Sequence, residues 1–425
     1  MHRCKNLNLK PIVNRFNIGV TLSLLSISVI SPIAQAQQVV TLKDAVGLTF
    51  AQNPQLKTYI YQAKAAEGRV EQAGVSSPMT MGVGIEDAFG GSNRSGVSAM
   101  QTTLSLSWLL DGDIVDARQK VATAQSTLST FNRDLQAIDL AASTATIFVT
   151  LLSQQEKLKL AKLAQVEAAA AVKSISKRAL AGKSNAIDQL RAEADLSQKQ
   201  LLTEDLTHEI AASKLALAAQ WNGNTDFIVE GSLLNTPLSQ VLSAERIDNL
   251  RSNPKLQLFI EQQKIKQSEI ALARQTQNPA WQVTAGMKRD EQVDDFSFIA
   301  GVSIPLGGND RNKGQIIALN AQKSQQQAES DAWVKTVTTQ LQLLSSKLSH
   351  GRHVIDSLNS STVPLLESAS VKAQRAYLLG GYNFTDWYGV KQELISAQYA
   401  LIEAYTQIHI NNIEFERLTG VSLNN

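Results

Sequence analysis

Two stretches of the chain abandon helical spacing for strict alternation. Met79, Met81, Val83, Ile85 and Phe89 alternate with Thr80, Gly82, Gly84, Glu86 and Ala88. After a turn at Gly90-Gly91-Ser92-Asn93, Met100, Thr102, Leu104, Leu106 and Trp108 alternate with Gln101, Thr103, Ser105 and Ser107. The pattern returns far down the chain. Trp281, Val283, Ala285 and Met287 alternate with Gln282, Thr284, Gly286 and Lys288, and Phe296, Phe298, Ala300, Val302 and Ile304 follow the acidic loop at Asp290–Asp295. A period of two predicts strands, here at 79–89, 97–108, 281–290 and 295–306. Each has one greasy face and one face of small polar residues.

Between the strand pairs the period is helical. No proline or glycine interrupts Ile114 to Ala181, and Leu128, Phe131, Leu135, Ile138, Ala142 and Ala145 step by three and four. Continuous helix over this stretch would reach about 100 Å. The same seam runs through Leu341, Leu344, Leu348, Ile355 and Leu365, with a kink predicted at Pro364. Each long helix ends in a glycine turn, at Gly182 and at Gly380-Gly381, and a second helix returns. Asn53-Pro54 and Asn253-Pro254, 253 − 53 = 200 residues apart, mark the start of each unit. The chain therefore divides into a first repeat, 37–230, with a long helical hairpin at 113–221, and a second, 231–425, with its hairpin at 309–420. Short helices precede the strands in both.

Ten-residue strands with a small polar inner face suit a bilayer-crossing barrel better than a soluble sandwich. Trp108 and Trp281, at the strand ends nearest the helices, suit an interfacial aromatic belt. Four strands cannot enclose a bore, since about eight are needed even for a filled interior. Three copies would give a shared ring of 3 × 4 = 12 strands. The expected fold is thus a mixed α/β membrane protein: a trimeric 12-stranded transmembrane β-barrel, four strands per chain, continued by a long α-helical barrel of coiled-coil hairpins.

Charge and address narrow this further. Residues 1–36 read as a secretory signal, with Arg3, Lys5, Lys10 and Arg15, an apolar stretch, and Ala34-Gln35-Ala36 as the cleavage site. The only cysteine, Cys4, falls inside it, so the mature chain is expected to lack disulfides and thiolate chemistry. Removing four basic residues leaves 40 − 4 = 36 Lys+Arg against 38 Asp+Glu. That balance gives no surface for nucleic acid. After residue 36 no run of 18 apolar residues occurs, so no membrane-crossing helix is expected.

Motifs for chemistry are few. Gly182-Lys183-Ser184 imitates the end of a P-loop, but Lys177 stands where the first glycine belongs and no strand precedes it. His350 and His353 lack a third ligand at metal spacing. Met79, Met81 and Met100 read as lipid-facing filler. The reading is of a non-enzyme with no cofactor and no resident metal. Asp188 and Asp386 sit at equivalent places just past the two tips. Both suit helix N-termini, and in a ring of copies either would place carboxylates around a pore.

Thr41-Leu42-Lys43-Asp44-Ala45 with Asn53-Pro54, Leu110-Asp111-Gly112-Asp113 after the second strand, and Arg375-Ala376-Tyr377 before Gly381 and Asp386 resemble the outer-membrane efflux proteins of the TolC type. Glu71-Gln72-Ala73-Gly74, Phe89-Gly90-Gly91 and Ile304-Pro305-Leu306 with Arg311-Asn312-Lys313-Gly314-Gln315 are similar to the CzcC-like branch, which serves heavy-metal pumps of the RND type. The resemblance implies a homotrimer in the outer membrane of a Gram-negative bacterium, with a large periplasmic portion. It also implies an inner-membrane RND pump and a periplasmic adaptor as partners, and cobalt, zinc or cadmium as cargo. Gly389 stands where other members place a second tip aspartate. Two other readings remain open at this point: the same duct for drugs or polypeptides, and a trimeric coiled-coil adhesive stalk.

Overall fold

A computed structural model describes residues 38–89, 96–182, 184–235, 250, 253–307 and 310–420. The signal at 1–36, the Gly90-Gly91 turn and Lys183 lie outside the described residues.

The first repeat runs β1 (Gln38–Val40), α1 (Leu42–Gln52), α2 (Pro54–Ala73), β2 (Thr80–Glu86), β3 (Gln101–Leu110), α3 (Gly112–Leu180), α4 (Ala186–Ala219) and β4 (Phe227–Val229). The second runs α5 (Pro254–Gln275), β5 (Trp281–Asp290), β6 (Asp295–Ser303), α6 (Lys313–Ser357), a π-helical turn (Leu358–Thr362), α7 (Val363–Leu379) and α8 (Phe384–Thr419). Both repeats interleave in one compact unit.

Three strand ends depart from the alternation by three residues or more. β2 stops at Glu86 because Asp87 and Phe89 adopt left-handed backbone, φ 54° and 64°, which removes Phe89 from the apolar row expected for it. β3 begins at Gln101, since a turn closed by Met100 N–H to Val97 O, 3.2 Å, occupies the preceding residues. β6 ends at Ser303, just before Ile304-Pro305, where proline has no N–H to give a ladder.

The doubled Asn-Pro has a physical role that its position alone did not disclose. Asn53 Oδ1 accepts Gln55 N–H at 2.8 Å, capping α2, while its Nδ2 donates to Gln220 O at 2.7 Å, at the end of α4. Asn253 repeats this: Lys255 N–H at 2.8 Å and Leu418 O at 2.9 Å. Each buried asparagine pins the start of an upper helix to the finish of a returning lower one. Replacing either by alanine removes a cap and strands a buried carbonyl, together about 2–3 kcal/mol. The apparent unfolding midpoint of the detergent-solubilised protein should drop accordingly. Asn253→Asp keeps the acceptor and should fall in between; equal midpoints would remove the clamp.

The other family-like motifs are joints as well. Thr41 and Asp44 form a reciprocal capping box, and the Thr41 hydroxyl holds the Asp44 carboxyl below the usual carboxylate range. Asp111 accepts the Ser77 hydroxyl at 2.7 Å, and Arg118 donates to Ala73 O and Val75 O at 2.8 and 2.6 Å. Asn312 does the equivalent for α5, donating to Ala273 O and the Thr276 hydroxyl, both at 2.7 Å.

α3 extends 69 residues unbroken. By length and composition it is long and apolar enough to cross a bilayer. Its apolar side chains, Phe148, Val149 and Leu151 among them, build the main core with Leu217, Trp221, Leu341 and Phe415. In the second repeat the helix does deviate, but over the five residues ahead of Pro364 rather than at it. Proline has no N–H to return to the carbonyl four residues back, and the widened π turn absorbs the gap.

The four long strands form one antiparallel sheet in the order β2-β3-β5-β6. Register places Met81 opposite Leu106, Val83 opposite Leu104, Leu104 opposite Met287, and Met287 opposite Phe298. That face is bare: Met81 is 67% exposed and Phe298 88%, and no described core cluster includes a residue of these strands. A sandwich would bury it.

Candidate pore and tip

The opposite face of the sheet holds Gly82, Gly84, Ser105, Ser107, Thr284 and Gly286. Small residues are forced there. A Cβ at Gly286 would stand 2.6 Å from Leu104 O and 3.2 Å from Ser105 Cα. At the far end from the helices the row becomes charged, with Glu86, Gln101, Asp290 and Asp295 in register, and Lys288 pairs with Glu86 at 3.3 Å. Trp281 pairs with Leu110 and Trp108 with Val283, at the helix end of the sheet on the apolar face, each about half exposed.

At the other end of the molecule are two tips. Gly182 and Gly380 take left-handed backbone, φ 68° and 84°, a conformation that costs glycine little. Gly381 N–H bonds back to Ala376 O at 2.9 Å, closing the α7 end. Asn185 and Asn383 cap the returning helices through Ile187 N–H, 3.0 Å, and Asp386 N–H, 2.8 Å. Asp188 and Asp386 are each the third residue of their helix. Asp386 is exposed and Asp188 half-buried. Neither carboxylate engages a described side chain.

The tips differ in what surrounds them. Against the second pack Tyr377, Phe384, Trp387 and Tyr388: Tyr377 stacks on Trp387 with centroids 4.6 Å apart, and Phe384 on Tyr388 at 5.3 Å. The Arg178 guanidinium of the first hairpin sits 4.4 Å over the Tyr377 ring and donates to Tyr377 O at 2.8 Å. Asp195 on α4 accepts the Tyr388 hydroxyl and, at 3.3 Å, Gln392 Nε2, while Lys199 donates to Gln392 Oε1 at 3.0 Å. Burial, then the Asp195 carboxylate, push the Tyr388 hydroxyl above the ordinary phenol range. Higher up, Lys391 meets Glu167 at 3.2 Å and Lys157 meets Glu403 at 2.6 Å.

This link between hairpins escaped the sequence reading, which had singled out only the aspartates and glycines. A signal existed. Tyr377, Tyr382, Phe384, Trp387 and Tyr388 crowd five aromatics into twelve residues of a chain that is 5% aromatic overall. His350 and His353 remain ordinary helix residues, and no group of three or more His, Cys, Asp or Glu suited to a metal ion occurs among the described residues.

The family profile described as Outer membrane efflux protein matches residues 45–223. The cobalt-zinc-cadmium resistance protein CzcC of Cupriavidus metallidurans is 25% identical over 385 residues, covering 89% of this chain and 90% of its own. The chain thus resembles outer membrane efflux proteins, over residues 45–223 for the family profile and over most of its length for CzcC. Solved structures share its fold: a membrane protein of Pseudomonas aeruginosa with TM-score 0.75 at 17% identity, covering 90% of this chain and 91% of that one. The outer membrane protein VceC of Vibrio cholerae gives 0.70 at 16%, covering 89% and 96%. These likenesses are to proteins described as outer-membrane efflux components, and the solved structures share the arrangement of one small sheet with long helices.

Proposed function

We propose that three copies close a 12-stranded barrel and act as the passive exit duct of a tripartite pump, carrying divalent cobalt, zinc or cadmium handed over by an inner-membrane RND-type transporter through a periplasmic adaptor. The observation that carries the ring is the sheet: its edges β2 and β6 are unpaired, its outer face is apolar and bare, and four strands cannot close alone. The cargo reading rests on the similarity to CzcC. The partner reading rests on the resemblance to outer membrane efflux proteins.

Within this reading Asp386 lines the narrowest part of the pore, repeated three times around the axis. Its exposure and its place at a helix N-terminus, without a described partner, support that role. Gly389 puts no second carboxylate one turn on, so the constriction is a single ring, with half-buried Asp188 as a weaker contributor. In planar bilayers Asp386→Asn should raise conductance and weaken block by zinc, and Asp188→Asn should change both less. Unaltered conductance and block in Asp386→Asn would take the gate away from this residue.

A further inference from the structure

Charge on the small-residue face of the sheet is confined to its outer end. Register aligns Glu86, Gln101, Asp290 and Asp295 in one row across the four strands, and Gly84, Thr103, Lys288 and Ser297 in the next. The remaining strand residues of that face, from Thr80 and Gly82 to Gly301 and Ser303, are uncharged. Among the described strand residues Lys288 is therefore the one cation on the face, beside three carboxylates. The other basic residue of these strands, Arg289, lies on the apolar face and is held by Glu291 and Asp294.

The lysine does not stand free. Its Nζ meets Glu86 Oε2 at 3.3 Å, and its side chain is 24% exposed where that of Glu86 is 66%. In the strand order β2-β3-β5-β6 the two residues are two strands apart, and neighbouring strands lie about 4.8 Å from each other. A reach of about 10 Å across β3 lays the aliphatic stem along the wall, as lysine stems do on a surface they can cover. Small residues leave the way open, since only Thr103 and Gly84 share the row with it on that side. Gln101 does not compete for the glutamate, because its amide donates to Asp290 at 2.9 Å.

Resting on the trimer proposed above, we infer that Glu86 sets the ion selectivity of the outer mouth by holding Lys288 flat against the barrel wall. With the lysine down, the two rows carry 1 − 3 = −2 charges per copy, and the side chains reaching the bore are carboxylates. A lining of one sign concentrates its counter-ions, here cations on their way out. Freed, three ammonium groups would swing into the bore and turn the collar toward anions, as rings of lysine do. Glu86 is thus a positioning residue: it acts through Lys288, beyond its own charge.

Asp295→Asn separates those two roles, because it removes one charge from the same row and leaves the ion pair intact. Intact cells are labelled from outside with a membrane-impermeant sulfo-N-hydroxysuccinimide ester, and acylation of Lys288 is read by peptide mass spectrometry. Glu86→Gln should be acylated there several-fold more than wild type or Asp295→Asn. Reversal potentials in a potassium chloride gradient give the consequence, recorded in an Asp195→Ala/Tyr388→Phe background so that the tip does not mask the mouth. Glu86→Gln should lose most of the cation preference and Asp295→Asn only a part, while Glu86→Gln/Lys288→Gln should regain it. Equal acylation in all three proteins, or equal selectivity in Glu86→Gln and Asp295→Asn, overturns the tether. Wild-type protein that runs as a monomer in mild detergent and conducts no current overturns the ring itself, a separate failure.

Discussion

Asp195→Ala combined with Tyr388→Phe should convert a tip-limited channel into one whose conductance is several-fold higher. The two side chains join α4 to α8 at the tip, and the bond is charge-assisted and about half-buried. Such a bond contributes about 2 kcal/mol. In the proposed trimer three copies would make about 6 kcal/mol, against the roughly 5.5 kcal/mol that shifts a two-state equilibrium from 1:99 to 99:1. One network repeated three times is therefore enough to decide whether the tip is closed. Tyr388→Phe alone should fall between, since Asp195 still accepts Gln392 Nε2, whereas Asp195→Ala alone should match the double variant. The raised Tyr388 pKa gives this contact a pH signature. A group whose folded value is raised stabilises fully below its unfolded value, about 10 for tyrosine, and loses that contribution as pH climbs through the folded one. Wild-type conductance should hold steady through neutral pH and rise only in strong alkali, and the double variant should lack that rise. Identical single-channel traces for variant and wild type would show that this network does not limit the pore.

Leu106→Arg should abolish membrane assembly while Ser107→Arg leaves it intact. The residues are neighbours on β3 but point to opposite faces, Leu106 beside Met81 and Ala285, Ser107 beside Thr80 and Thr284. An arginine facing lipid costs about 2–4 kcal/mol near the midplane, hence about 6–12 kcal/mol for three copies, comparable with the whole stability of many folds. The same side chain in a water-filled lumen meets no such penalty, and there it should reduce cation conductance. Outer-membrane fractions probed for heat-modifiable trimer make the comparison. Equal assembly of both variants would contradict the assignment of faces.

The strands and long helices were legible because their periods differ and because glycine and proline punctuate them. Where the periods failed, the cause was local backbone: left-handed Asp87 and Phe89, the turn before Gln101, and Pro305. The Asn-Pro repeat was visible as a pattern, yet its function was not, because Asn53 and Asn253 reach residues 167 and 165 positions away. The tip network was hidden for the same reason. Asp195 and Tyr388 lie 193 residues apart, on separate hairpins that only the folded chain brings together. Periodicity reports which face a residue occupies; it does not report which distant face it meets.

The proposed role, the outer-membrane exit of a pump for divalent metal, is open to direct test in cells. A strain lacking the chain should be tested for growth and for accumulation of cobalt, zinc and cadmium, with copper and a detergent in parallel. Such cells should retain the three divalent metals, and the wild-type chain, but not Leu106→Arg, should restore their export. Unchanged metal accumulation, with sensitivity appearing only toward the detergent, would contradict it.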